Sequence, residues 1–105
     1  IMSDLFGEGD EELSRVLMKS YFYALDESIT LPSNIIFINS GVKLLTENYD
    51  VIKHIESLKN RGVSILACGI CTDYYKLKDH IKVAEITNMY SIIEILNNSD
   101  SVIRI

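Results

Sequence analysis

The run Ile35-Ile36-Phe37-Ile38 limits the fold more than any other part of this chain. Four consecutive large apolar residues leave no polar side to turn toward water. As a strand, the run must be covered on both faces, which is the situation of a parallel strand in an α/β sheet. A second run, Val63, Ile65 and Leu66, ends in Cys68 and Gly69. Between the two, Val51, Ile52, Ile55 and Leu58 recur at helical spacing. Strand, helix and strand in this order form a right-handed crossover between parallel neighbours.

The rest of the chain extends the same alternation. Ile1 to Ser3 read as the end of a strand whose beginning is missing, so residues 1–105 are expected to form a single domain clipped in its first strand. Asp10 is a good N-cap, followed by Glu11 and Glu12 where the helix dipole favours acids. The next helix places Leu13, Val16, Leu17, Tyr21, Ala24 and Leu25 on a stripe expected to face the sheet. A second stripe, Met18, Phe22 and Ile29, is expected to face outward, covered by a partner subunit or by the C-terminal strand or a loop. The helix with Val51 is expected to start near Thr46 or Asn48 and to stop at Gly62 after Lys59 and Arg61. Cys71, Thr72 and Asp73 open a short helix that holds Tyr74, Tyr75 and Leu77, and Val83 to Ile86 form a brief strand. Thr87 or Asn88 caps a helix with Met89, Ile92, Ile93 and Leu96 inward, and Ser101 to Ile105 form a last strand. The predicted fold class is therefore α/β, with a five-stranded, mainly parallel sheet and helices on both faces.

Charge and hydropathy narrow the function classes. Ten Lys and Arg are scattered among fifteen Asp and Glu, for a net charge of -5, which argues against neutralising phosphates on nucleic acid or on an anionic membrane. The longest uncharged run, Ser28 to Val42, contains Pro32, Ser33 and Asn34 and falls short of the roughly 20 apolar residues a membrane span needs. No stretch has the order of a signal peptide, so a cytoplasmic location is expected. There, two cysteines three positions apart suggest redox, sulfur-transfer or metal chemistry more than a structural disulfide.

If all crossovers share one hand, the carboxyl ends of the strands share one edge, where α/β proteins bind ligands. That edge would gather Asp4, the loop from Gly7 to Asp10, Asn39, Ser40, Gly41, Lys43, Cys68, Cys71, Thr87 and Asn88. A thiol reacts as thiolate, and a helix N-terminus or an inward-turned Lys43 lowers its pKa. The Cys68-x-x-Cys71 spacing lets one thiol resolve an adduct on the other, with Gly69 supplying backbone freedom. The alternative is two small hydrophobes filling a strand-to-helix junction. Neither metal nor cofactor is expected, because a zinc site needs more soft ligands than two cysteines. His54 lies mid-helix, and His80 reads as a solvated helix-end residue. Gly7 and Gly9 read as turn formers, since Glu8, Asp10, Glu11 and Glu12 would repel phosphate. Asn39 alone suits a strand-ending turn and Asn88 an N-cap, while Tyr74, Tyr75 and Tyr90 either line the pocket or, as the favoured reading, pack in the core or at its rim.

Several segments together resemble one family. Gly-Glu-Gly-Asp-Glu-Glu-Leu (7 to 13), Asn-Ser-Gly-Val-Lys-Leu (39 to 44), Cys-Gly-Ile-Cys (68 to 71), Asp-Tyr-Tyr-Lys-Leu (73 to 77) and Glu-Ile-Thr-Asn-Met-Tyr (85 to 90) are similar to the C-terminal DsrE/DsrF-like domain of the YedF-type selenium-metabolism proteins. The resemblance implies a three-layer α/β/α sandwich of a sulfurtransferase-like superfamily whose oligomeric members carry persulfide sulfur, and in this branch selenium, on a cysteine. It maps the relay cysteine onto Cys68 and makes Cys71 the extra thiol of the branch. It also implies sulfur or selenium donor and acceptor proteins as partners, a TusA-like domain among them. Ser14, Ile70 and Ala84 depart from the Gly, Thr and Gly expected at those positions.

Two functions compete at this stage. One is a sulfurtransferase-like carrier with a persulfide on Cys68, assisted by Cys71, and with Asn39, Ser40, Gly41, Lys43, Thr87 and Asn88 around the cargo. The other is a non-catalytic oligomerisation or small-ligand-binding domain whose cysteines are structural or sense oxidation.

Overall fold

The structure is a computed structural model that describes residues 1–46 and 49–105. Its centre is a parallel sheet of three strands, β1 (Asn34–Phe37), β2 (Ser64–Cys68) and β3 (Glu85–Thr87), in that spatial order. Ile36 pairs with Leu66 and Phe37 with Ala67, while Ala67 pairs with Ile86 and Cys68 with Thr87. Four helices accompany the strands: α1 (Glu11–Glu27), α2 (Ile52–Asn60), α3 (Gly69–Tyr74) and α4 (Met89–Asn98). Two short 3-10 segments, Asn39–Leu45 and Lys78–His80, complete the regular structure among the described residues.

The five-stranded expectation is corrected to three among the described residues, and the two chain ends explain the difference. The Ile1 nitrogen donates to the Ile36 carbonyl at 2.9 Å, and the Ile38 N–H donates to the Ile1 carbonyl at 2.9 Å, a single step of parallel pairing alongside β1. Met2 N–H in turn donates to the Ile105 carbonyl at 2.7 Å. One bridge per segment does not propagate into a ladder, and Val102 and Ile103 are exposed where the last strand was expected.

The sheet divides its side chains between two faces, as alternation requires. Ile35, Phe37, Ile65 and Ala67 belong to the main core with Met18 and Phe22 of α1 and Ile55 and Leu58 of α2. The Phe22 ring stacks on Phe37 with centroids 6.1 Å apart. Leu66 and Cys68 alternate to the other side and are buried outside that cluster, as is Ile92 of α4.

Two helix orientations differ from the sequence reading. On α1 the buried side chains are Ser14, Met18 and Phe22, with Tyr21 and Leu25 partly covered, whereas Leu13, Val16 and Leu17 are 56%, 59% and 41% exposed. The helix is rotated so that Met18 and Phe22, expected outside, face the sheet, and buried Ser14 lets the Phe6 N–H reach the Ser14 carbonyl at 3.2 Å. Ile29 is fully outside. On α4 only Ile92 is fully buried, and Met89, Ile93 and Leu96 are exposed. α2 starts at Ile52, because the 3-10 segment runs up to Leu45 and Thr46 caps it, its hydroxyl donating to the Lys43 carbonyl at 2.8 Å. The alternative start at Asn48 falls outside the described residues.

A polar cluster fastens α1 to α2. Asp26 accepts from the Ser57 hydroxyl at 2.7 Å, and its other oxygen meets His54 Nδ1 at 2.9 Å. These bonds hold the Asp26 carboxyl below its ordinary pKa, the Ser57 hydroxyl contributing most and His54 next. Arg61 adds a hydrogen bond to the Ser28 carbonyl at 2.9 Å.

Candidate functional site

The site grows from the junction of β2 and α3. Cys68 ends the strand and occupies the N-cap position of α3, so Cys71 falls in the helix's first turn. The helix starts at Gly69, two residues before the predicted opening at Cys71. Gly69 owes its place to space: a Cβ there would lie 3.1 Å from the Thr87 carbonyl oxygen of β3. Glycine thus permits the close packing of α3 against the sheet edge, a role different from the freedom to bend that the sequence suggested.

Both cysteines are free thiols with different surroundings. Cys68 is 1% exposed and paired in register with Thr87. Cys71 is half-buried, and its Sγ accepts the Asn39 N–H at 3.0 Å. Asn39 follows β1 with φ of +56°, a left-handed conformation that Asn tolerates better than most residues. That turn aims its N–H out of the sheet toward α3. Burial pushes the Cys71 pKa up, the adjacent Cys68 thiol adds to the rise, and the Asn39 N–H opposes it. Helix lowering of this thiol was expected, but a six-residue helix sums few peptide dipoles, and desolvation prevails.

Tyr75 joins the constellation, the less favoured of the two places that the sequence reading gave it. It follows Cys71 by four residues, on the same side of the turn. Its hydroxyl donates to Asn39 Oδ1 at 3.3 Å, and Lys43 Nζ lies 4.6 Å from the centre of its ring. The i,i+4 spacing from a cysteine was the available signal. Lys43 is thereby linked to the Cys71 thiol through Tyr75 and Asn39.

Of the other predicted residues, Ser40, Gly41 and Asn88 serve elsewhere. Ser40 Oγ accepts the Asp4 N–H at 3.4 Å and is turned to the N-terminal segment. Gly41 lies against the Ile1 carbonyl, leaving no room for a Cβ. Asn88 Oδ1 accepts the Ser91 N–H at 3.0 Å, so its side chain caps α4. Thr87 is half-buried beside Cys68. A cleft of about 350 Å³ lies elsewhere, lined by Asp4, Arg15, Lys19, Leu44, Tyr49 and Asp50 without either cysteine. Its charges are matched internally, Lys19 to Asp50 at 3.1 Å and Arg15 to Asp4 at 3.7 Å. Among the described residues no group of three or more His, Cys, Asp and Glu could hold a metal ion, and no helix is long and apolar enough to cross a membrane.

Comparison with known proteins bears on this edge of the sheet. Residues 5–105 match the model of the DsrE/DsrF-like family, which spans the strands, all four helices and both cysteines. Neither a curated protein nor a solved structure matches the chain.

Proposed function

The chain belongs to the DsrE/DsrF-like family, a family associated with sulfur relay, and from that premise we propose that it carries sulfane sulfur as a persulfide on Cys68 with the assistance of Cys71. The observation that supports this reading is the thiol pair itself, at the carboxyl end of a central parallel strand and with a backbone N–H directed at one sulfur. A persulfide is anionic at neutral pH, and an N–H donor is the group that would hold such a sulfur in place. The YedF-type assignment, selenium as alternative cargo, a cytoplasmic location, and protein donors and acceptors such as a TusA-like domain belong to the same proposal.

The test uses a low-molecular-weight persulfide and intact-protein mass spectrometry. Wild type is expected to gain one sulfur, about 32 Da. The double variant Cys68→Ser/Cys71→Ser is expected to gain none. Equal uptake by both proteins would remove the thiols from the chemistry.

Self-association is part of the proposal, on a different surface from the one first expected. The sequence reading turned Met18 and Phe22 outward, and both are buried. Leu13, Val16 and Leu17 form the exposed stripe instead, and a second copy is the occupant we propose for it.

A further inference from the structure

The geometry points to Cys71 as the thiol at which sulfur is taken up, with Cys68 as the inner thiol that receives it. This assignment rests on the carrier reading and reverses the order implied by the family resemblance, in which Cys68 meets the donor.

Access decides between the two sulfurs. Thiol exchange requires the attacking sulfur to reach the donor's S–S bond, so its rate depends on exposure as well as on thiolate content. Cys68 is 1% exposed, at the end of the middle strand with β1 and β3 on either side. An external persulfide cannot approach it without opening the junction. Cys71 keeps exposed surface, and its helix neighbours Ile70 and Tyr74 are 72% and 79% exposed. The Asn39 N–H is directed at the Cys71 sulfur and at no atom of Cys68. Asn39 is in turn held by Tyr75, which makes Asn39 and Tyr75 positioning residues.

The steps balance without an outside oxidant or reductant. The Cys71 thiolate attacks the outer sulfur of the donor persulfide, a new S–S bond forms on Cys71, the donor S–S bond breaks, and the donor leaves as a thiol with the proton that Cys71 gave up. Cys68 then attacks the terminal sulfur on Cys71, which departs as thiolate and takes up the Cys68 proton. One sulfane sulfur moves inward, and no net oxidation occurs.

Two measurements test this. Time-resolved mass spectrometry with glutathione persulfide is expected to show Cys71→Ser loading at least about tenfold more slowly than the wild type. Alkylation of the folded wild type with iodoacetamide, followed by peptide mapping, is expected to label Cys71 at least about tenfold faster than Cys68, and needs no variant to fold. Loading of Cys71→Ser at the wild-type rate, or faster labelling of Cys68, overturns the assignment while leaving a carrier on Cys68 intact. A wild type that takes no sulfur sinks the carrier reading and this assignment together, even if Cys71 alkylates first.

Discussion

Opposing influences act on the proton of Cys71. Burial and the neighbouring Cys68 thiol raise its pKa, and the Asn39 N–H lowers it, with burial the largest of the three. The net rise above the ordinary value of 9.0 means that the neutral thiol predominates at physiological pH. Reactivity follows the thiolate, so the alkylation rate of Cys71 is expected to climb with pH and to be still rising at pH 9.0, where an unperturbed thiol is half ionised. A rate that levels off below pH 8 would show that the N–H donor outweighs burial. Asn39 itself combines two requirements, a left-handed backbone and an N–H that leaves the sheet. Asn meets the first at a lower steric cost than a β-branched residue.

At the scale of the element, α1 shows how a helix chooses its buried face. Its apolar residues cover more than one side, and counting them favours the stripe of Leu13, Val16, Leu17, Tyr21, Ala24 and Leu25. The structure selects Met18 and Phe22, and the Phe22 ring stacks on Phe37 over the sheet. Phe22→Ala is therefore expected to cost about 3–5 kcal/mol in urea unfolding, since a fully buried ring leaves a cavity. Val16→Ser is expected to change the stability of the single subunit by less than about 0.5 kcal/mol. Comparable losses in both variants would return Val16 to the core. The same reasoning applies to α4, where Ile92 alone is fully buried and Asn88 fixes the start through its cap on Ser91.

For the whole molecule, the first and last residues lie beside the three-stranded sheet without forming strands of it. Ile1 lies alongside β1 and Ile105 alongside Met2, each through few hydrogen bonds, and Gly41 makes room for the Ile1 carbonyl. Gly41→Ala is expected to lower stability by about 1–3 kcal/mol by displacing that segment, measured as a fall in Tm. An unchanged Tm would mean that the first residues are not seated there. The sequence by itself determined the α/β class, the order of the central elements, the Asp10 cap, and the place of Cys68 and Cys71 at a strand-to-helix junction. Those features follow from local periodicity and capping chemistry, which a few neighbouring residues carry. Tertiary structure alone decided which face of α1 is buried, that Tyr75 rather than Ser40 or Asn88 stands near the thiols, and that Cys68 is enclosed while Cys71 is half-buried. Each of these depends on which surfaces compete for the same space once distant segments meet, and that competition leaves no periodic signal in the chain.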